Sequence, residues 1–404
     1  MSIALTGATP VRTAPYPAWP QFDETEEQAL LRSLRQGQWW RASGSETNAF
    51  EEEFAKFHGT EHALAVTTGT HALEVALLTA GIGPEDEVIV PAFTFISTSM
   101  AVQRVGAMPI AVDVDLETYC LDPAAVEKAI TPRTKALIPV HTSGHFADME
   151  ALIKLAEAHD LHLIQDAAHA HSAKGKDGQL AGEWGTMACF SFQNFKLMTA
   201  GEGGAILFPD AETREQAFLF SNCGRPLGDL AYMHKVCGSN YRMNEFSAAV
   251  LRAQLARLSR QTELREQNAT VVLDALKDFE GILPQGRTSD AVVHPYYMFM
   301  FRLDPVVYPK IDRIQLVKAL VAEGIPAFRA YQVLYRIPAF WEGPHTNTTI
   351  ERLATECPAS EAIAQHGIWI HHRALLGSQD DALDIVRALD RVLAHKDQLV
   401  GAAA

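Results

Sequence analysis

Lys196 stands in the stretch CFSFQNFKLMTAGEGGAILF, thirty residues beyond Asp166, which ends the apolar run LHLIQD. An amine and a carboxylate, each closing an apolar segment and each followed by small residues, suit a pyridine cofactor that carries an aldehyde. The lysine would condense with the carbonyl, and the aspartate would hold the ring nitrogen protonated so that the ring draws electrons. Phe190, Phe192, Phe195, Leu197 and Met198 predict an apolar setting for the amine. Such a setting disfavours the ammonium form, lowers the pKa and makes the lysine a nucleophile. Gly201, Gly203 and Gly204 would let the backbone turn tightly beside a flat ring. The plain alternatives are an exposed loop lysine and, for Asp166, a turn or cap carboxylate.

Other residues extend the same chemistry. His169, three residues beyond Asp166, is placed to hydrogen-bond a phenolic oxygen on the ring, whereas His171 reads as structural. Thr68-Gly69-Thr70 lies between a strand and a helix, where free N–H groups can hold a phosphate and Thr70 adds a hydroxyl; the alternative is a simple N-cap. Ser191 would supply a second phosphate contact. Phe95, in PAFTFIST, would stack on the ring or else pack in the core. The chain has neither a Walker A loop nor a GxGxxG turn, which counts against nucleotides and against a nicotinamide dehydrogenase. His371 and His372 have no carboxylate or third histidine at ligand spacing, so they read as structural or substrate-facing and no metal is expected. Arg329, Tyr331 and Arg336, in FRAYQVLYR, would face an anionic substrate, although a solvated face suits at least one of the arginines. The set points to a pyridoxal 5'-phosphate (PLP) enzyme.

These residues need a scaffold that gathers strand ends. From about 60 to 210, HALAVTTG, EVIVPAF, MPIAVDVD, KALIPVH, LHLIQDA, MACFSFQNF and GAILFPD read as short buried strands, with helical patterns interspersed. That alternation predicts an α/β fold with a mostly parallel central sheet, which binds ligands at the carboxyl ends of its strands. DMEALIKLAEAHD is an amphipathic helix with Asp148 as its N-cap. A long helical pattern from Asn244 to Phe279, with Val250, Leu251, Gln254, Leu255 and Leu258 on one face, joins this region to YYMFMFRLD and a last helix, ALDIVRALDRVLAHK. The expected organisation is a large cofactor-binding domain over 1–270, including an N-terminal arm, and a smaller C-terminal α+β domain over 271–404. Size agrees, since 404 residues exceed one typical core.

Composition narrows the partners. A net charge of −15 argues against nucleic acid and anionic membranes. Five scattered cysteines without CxxC spacing predict reduced thiols. The N-terminus lacks a cationic region followed by an apolar one, and the most apolar long stretch, VIVPAFTFISTSMAV, is interrupted by Pro91 and hydroxyl residues. A cytoplasmic protein is expected.

TTGTHAL, VPAFTFIST, QDAAHAH, SFQNFKLMTAGEGGA and GSNYRMNEFSAA together resemble the DegT/DnrJ/EryC1/StrS family of PLP fold type I sugar aminotransferases, over nearly the whole chain. The resemblance implies that Lys196 binds the cofactor covalently, that Asp166 pairs with the pyridine nitrogen and that His169 lies by the phenolic oxygen. It implies Phe95 on the ring, Gly69, Thr70 and Ser191 on the phosphate, and Asn240 reaching the phosphate of the neighbouring subunit. A homodimer with shared active sites follows, acting on a small molecule with an amino-acid donor; a partner dehydrogenase is a candidate companion. Dehydratase members carry histidine at the lysine position, and this chain keeps Lys196. A catalytically dead scaffold would be expected to lose Lys196 or Asp166. PAWPQFDE, QGQWWR, CGRP, IPAFRAYQVLYR and WIHHRALL look like the branch that dehydrates and aromatises an aminated dehydroshikimate. The alternative is a glutamine- or glutamate-dependent aminotransferase of a keto-sugar or keto-cyclitol. One departure from the pattern is Phe195, where the resemblance implies glycine; a ring there would reshape the substrate pocket.

Overall fold

Seven of the short apolar runs pair into one sheet in the computed structural model, which describes residues 2–228, 230–287, 292–345 and 348–400. They are β1 (His62–Val66), β2 (Glu87–Pro91), β3 (Met108–Val112), β4 (Thr134–Leu137), β5 (His162–Asp166), β6 (Met187–Ser191) and β7 (Gly204–Phe208), in spatial order β1-β7-β6-β5-β4-β2-β3. β2 runs parallel to β3 and β4, β4 to β5, and β5 to β6. β7 runs antiparallel to both β1 and β6. Residues 192–203, which join β6 to β7, contain no helix. Without a crossover element the chain can only return antiparallel. That connection carries Lys196.

Helices α1 (Glu24–Gln36), α2 (Glu46–Phe57), α3 (Gly69–Thr79), α4 (Ser97–Arg104), α5 (Pro123–Ala129), α6 (Met149–Ala158) and α7 (Ala211–Ser221) accompany the sheet. Asp148 caps α6, accepting from the Ala151 N–H at 3.0 Å. The long pattern forms α8 (Glu245–Leu276), whose 32 residues span about 48 Å. Its first half places Leu251, Leu255 and Leu258 in the core of the seven-stranded sheet, and its second half places Ala269, Val272 and Leu276 in another cluster.

That other cluster lies on a four-stranded antiparallel sheet of β8 (Ile282–Pro284), β9 (Met298–Leu303), β10 (Ala327–Arg329) and β11 (Gly367–His371), in order β10-β11-β9-β8. Helices α9 (Arg313–Ala322), α10 (Ile350–Glu356), α11 (Pro358–His366) and α12 (Gln379–Ala394) complete this region. Alternation along β9 divides its side chains. Phe299, Phe301 and Leu303 join the second cluster, while Met298 and Met300 join the first. The N-terminal segment also belongs to the second cluster: Ile3 and Tyr16 are buried in it, and Arg12 pairs with Asp381 at 2.6 Å and Asp384 at 2.9 Å on α12. All five cysteines are free. Among the described residues no helix is long and apolar enough to cross a membrane.

Candidate active site

The strand ends meet where the sequence requires. Asp166 at the end of β5 pairs in register with Cys189 on β6. At the end of β1, Thr68 caps α3 by accepting from the His71 N–H at 3.1 Å. Gly69 opens that helix hard against β6: a Cβ there would lie 2.6 Å from the Ser191 Cβ and 3.1 Å from its Cα. Closeness, not backbone freedom, demands glycine at this point. Thr70 donates its hydroxyl to Ser97 Oγ at 2.9 Å. Gly69, Thr70 and Ser191 therefore come together as a cradle of N–H and hydroxyl groups at a helix N-terminus, suited to a phosphate.

Beside the cradle lie the acid–base groups. Asp166 is buried and accepts from Thr98 Oγ1 at 2.9 Å and from the Ala168 N–H at 3.2 Å. Burial pushes its pKa up; the Thr98 hydrogen bond and the Lys196 charge pull it down. The Lys196 amine sits 4.4 Å from the centroid of the Tyr297 ring. Burial lowers its pKa to about 8, with the Asp166 charge opposing. His169 stacks on the same tyrosine, centroids 4.2 Å apart, and its Nδ1 accepts from the Ser143 N–H at 3.3 Å. That bond assigns the proton of the neutral ring to Nε2. Burial and the Lys196 charge keep the ring neutral, far below the usual histidine range.

The apolar setting of the lysine differs in part from the one expected, for Leu197 and Met198 are buried beside it but the phenylalanines do not enclose it. Phe190 and Phe192 turn away from the amine toward α2, edge-on to Phe54 at 5.0 Å and to Phe50 at 5.5 Å. Strand alternation places them on that side and leaves Ser191 on the other. Phe195 is 48% exposed, near His371. The wall against the amine is Tyr297, from β9's approach in the other sheet, a residue that sequence reading passed over because YYMFMFRLD signals only a strand. Thr98 was also missed. Its spacing of four from Thr94, whose hydroxyl lies 3.1 Å away, was the available signal.

Phe95 is 53% exposed, with its ring 5.9 Å from Tyr331. Tyr331 stands 6.4 Å from His169 and feels the Asp166 charge, so it belongs to the site. Asn240 is exposed and bridged to Asn222, and its neighbour Tyr241 accepts from the Thr67 N–H at 2.9 Å. This stretch thus runs beside the β1–α3 turn with the Asn240 side chain outward. Arg336 pairs with Glu361 at 2.8 Å and Arg329 lies exposed on β10. His171 packs on Phe190 at 5.3 Å, as a structural residue would. An amine of lowered pKa, a buried carboxylate, a neutral histidine and an anion cradle, all in one place, are the donor set that PLP requires.

Comparison with known proteins bears on the same point. The profile of the DegT/DnrJ/EryC1/StrS aminotransferase family matches residues 21–390. The 3-amino-5-hydroxybenzoate synthase of Amycolatopsis mediterranei (strain S699) is 52% identical over 373 residues, covering 92% of this chain and 95% of that protein. The L-glutamine:2-deoxy-scyllo-inosose aminotransferase of Streptomyces paromomycinus is 37% identical, covering 99% of each. A crystal structure of 3-amino-5-hydroxybenzoic acid (AHBA) synthase superposes with a TM-score of 0.91 at 49% identity, over 96% of this chain and all of that one.

Proposed function

The chain belongs to the DegT/DnrJ/EryC1/StrS aminotransferase family of PLP-dependent enzymes, and from that premise we propose that it dehydrates and aromatises an aminated dehydroshikimate to 3-amino-5-hydroxybenzoate. The observation that carries the reading is the 52% identity with an enzyme of that name over 92% of the chain. The reaction loses one water: a ring proton and a hydroxyl leave, and the aromatic product makes the step irreversible.

In this reading Lys196 would hold the cofactor covalently, and its Nζ is the group that takes the ring proton. An amine with a pKa of about 8 serves as base and then acid near neutral pH. When bound, the cofactor supplies an electron-accepting ring next to the carbon that loses its proton. Asp166 keeps a proton on the pyridine nitrogen, and Thr98 keeps Asp166 ionised by donating to it. His169 would offer its Nε2–H to the phenolic oxygen. Gly69, Thr70 and Ser191 would hold the phosphate, and Phe95 would cover the ring. Asn240 completes the phosphate site of the neighbouring subunit in a homodimer. The cofactor-binding part lies mainly within 1–270 and the smaller part within 271–404, with the N-terminal arm packed on the smaller part and Tyr297 reaching back to the site.

A second reading is favoured by the 37% identity with a glutamine-dependent cyclitol aminotransferase. There the same residues move an amine from glutamine or glutamate to a ring ketone, which a partner dehydrogenase would supply. One experiment separates the readings. Purified holoenzyme is given aminodehydroshikimate without any amino donor, and product is followed by mass spectrometry. The expected result is 3-amino-5-hydroxybenzoate from the natural enzyme and none from Lys196→Ala. No aromatic product, with glutamine converting the bound cofactor to its amine form, would replace the first reading by the second.

A further inference from the structure

The turn that presents Lys196 satisfies its own N–H groups and leaves its carbonyls to others. The Lys196 N–H bonds the Gln193 carbonyl at 2.8 Å, and the Phe195 N–H bonds Gln193 Oε1 at 2.9 Å. The two carbonyls just before the lysine accept from distant rings. Trp19 Nε1 donates to the Asn194 carbonyl at 2.9 Å, and His372 Nε2 donates to the Phe195 carbonyl at 3.0 Å. The two donor rings meet edge to face, centroids 4.4 Å apart and planes at 87°. Each is anchored outside the turn. Gln21, just after Trp19, is held on α8 by Gln254 at 2.8 Å and Arg257 at 2.9 Å through its carbonyl. His372 follows β11 directly.

The protonation of this clamp is determined by its surroundings. A carbonyl only accepts, so His372 must carry hydrogen on Nε2. Its Nδ1 is buried with no hydrogen-bond partner, and a proton there would be stranded beside Arg265, Arg373 and His371. Burial first, then those neighbours, hold His372 neutral. The clamp therefore donates from both rings throughout the pH range in which the lysine titrates.

We infer that Trp19 and His372 are positioning residues for Lys196: two ring N–H donors that fix the carbonyls preceding it and so aim its amine at Tyr297, Asp166 and His169. The inference rests on Lys196 being the cofactor-binding lysine. Without the clamp the turn loosens, the amine gains water and its proton affinity climbs toward that of an ordinary lysine.

The test uses Trp19→Phe, which keeps an aromatic ring but loses the N–H donor together with part of the indole's bulk, with His372→Leu and the donor-restoring His372→Gln. In cofactor-free protein, trace acetylation of Lys196 is followed against pH by peptide mass spectrometry. In holoenzyme, the pH titration of the visible band of the lysine-bound cofactor is recorded. Trp19→Phe and His372→Leu should move the Lys196 acetylation midpoint upward by about half a unit or more, with His372→Gln returning toward the natural value and the holoenzyme titration moving in step. Natural midpoints in Trp19→Phe and His372→Leu would overturn the inference, whether or not their melting temperatures fall; if His372→Leu does not fold, Trp19→Phe decides. Failure of the functional reading is distinct: the natural protein itself would then develop no band with PLP, while its acetylation profile would still report on the clamp.

Discussion

Thr98 governs how much charge Asp166 can carry. The carboxylate is buried, which favours its neutral form, and the Thr98 hydroxyl is foremost among the groups that oppose this. A protonated Asp166 cannot hold a proton on a pyridine nitrogen. Thr98→Val keeps the shape and removes the donor. The expected outcome is a fall in kcat of roughly tenfold to a hundredfold, equivalent to the about 1.5–3 kcal/mol carried by a hydrogen bond to a charged group. The acid limb of the pH–rate profile should also move to higher pH, because the aspartate then ionises later. An unchanged rate and profile would mean that Asp166 does not depend on Thr98. At this scale the sequence was legible where a residue acts through its own local segment. Asp166 and Ser191 could be placed at strand ends, Gly69 at a helix start and Lys196 on the link between two strands. Tyr297 could not, since nothing in its neighbourhood distinguishes an aromatic that meets a lysine across two sheets from one that merely packs. The partners of His372 were hidden for the same reason.

Elements converge because of two departures from regularity. One is the helix-free link between β6 and β7, which reverses β7 and leaves the lysine turn at the ligand-binding edge. The order of strands along that edge was not in the sequence, because an apolar run reads alike in either direction. The other is the start of α3 pressed against β6 at Gly69. The motif Thr68-Gly69-Thr70 was legible as a helix start, but the reason for its glycine emerges only from Ser191 on a strand far along the chain. Gly69→Ala forces α3 and β6 apart by several tenths of an ångström, since the added Cβ would otherwise lie 2.6 Å from that of Ser191. Overpacking of this kind costs about 1–3 kcal/mol, and the melting temperature should fall accordingly. The telling measurement is titration of cofactor-free Gly69→Ala with PLP, where affinity should weaken at least tenfold as the cradle opens. Unaltered affinity would remove Gly69 from the phosphate site.

The whole molecule leaves a large apolar surface near Asn240. Leu230 is 99% exposed, Tyr232 72% and Leu227 66%, with Trp39 and Trp40 also more than half open. They adjoin a hollow of about 710 Å³ lined in part by Trp40, Asn222, Arg225, Leu227 and Arg242. Apolar side chains exposed so fully and so close together suit a protein-binding surface, which a second copy of this chain would cover if the proposed homodimer forms. In a symmetric pair each copy would present this patch, and with it Asn240, to the other. The sharing of active sites can then be tested by complementation. Lys196→Ala lacks the lysine, and Asn240→Ala lacks the residue that the proposed homodimer would lend to the neighbour, so on that reading each homodimer is expected to be inactive or nearly so. After unfolding and joint refolding at equal amounts, half of the dimers are mixed, and in each mixed dimer one site pairs a natural lysine with a natural asparagine. Activity should recover to about one quarter of the natural value if the dimer is a symmetric pair with sites built across it. Recovery absent in mixtures that form dimers by light scattering would confine each site to its own chain and leave the patch to some other partner.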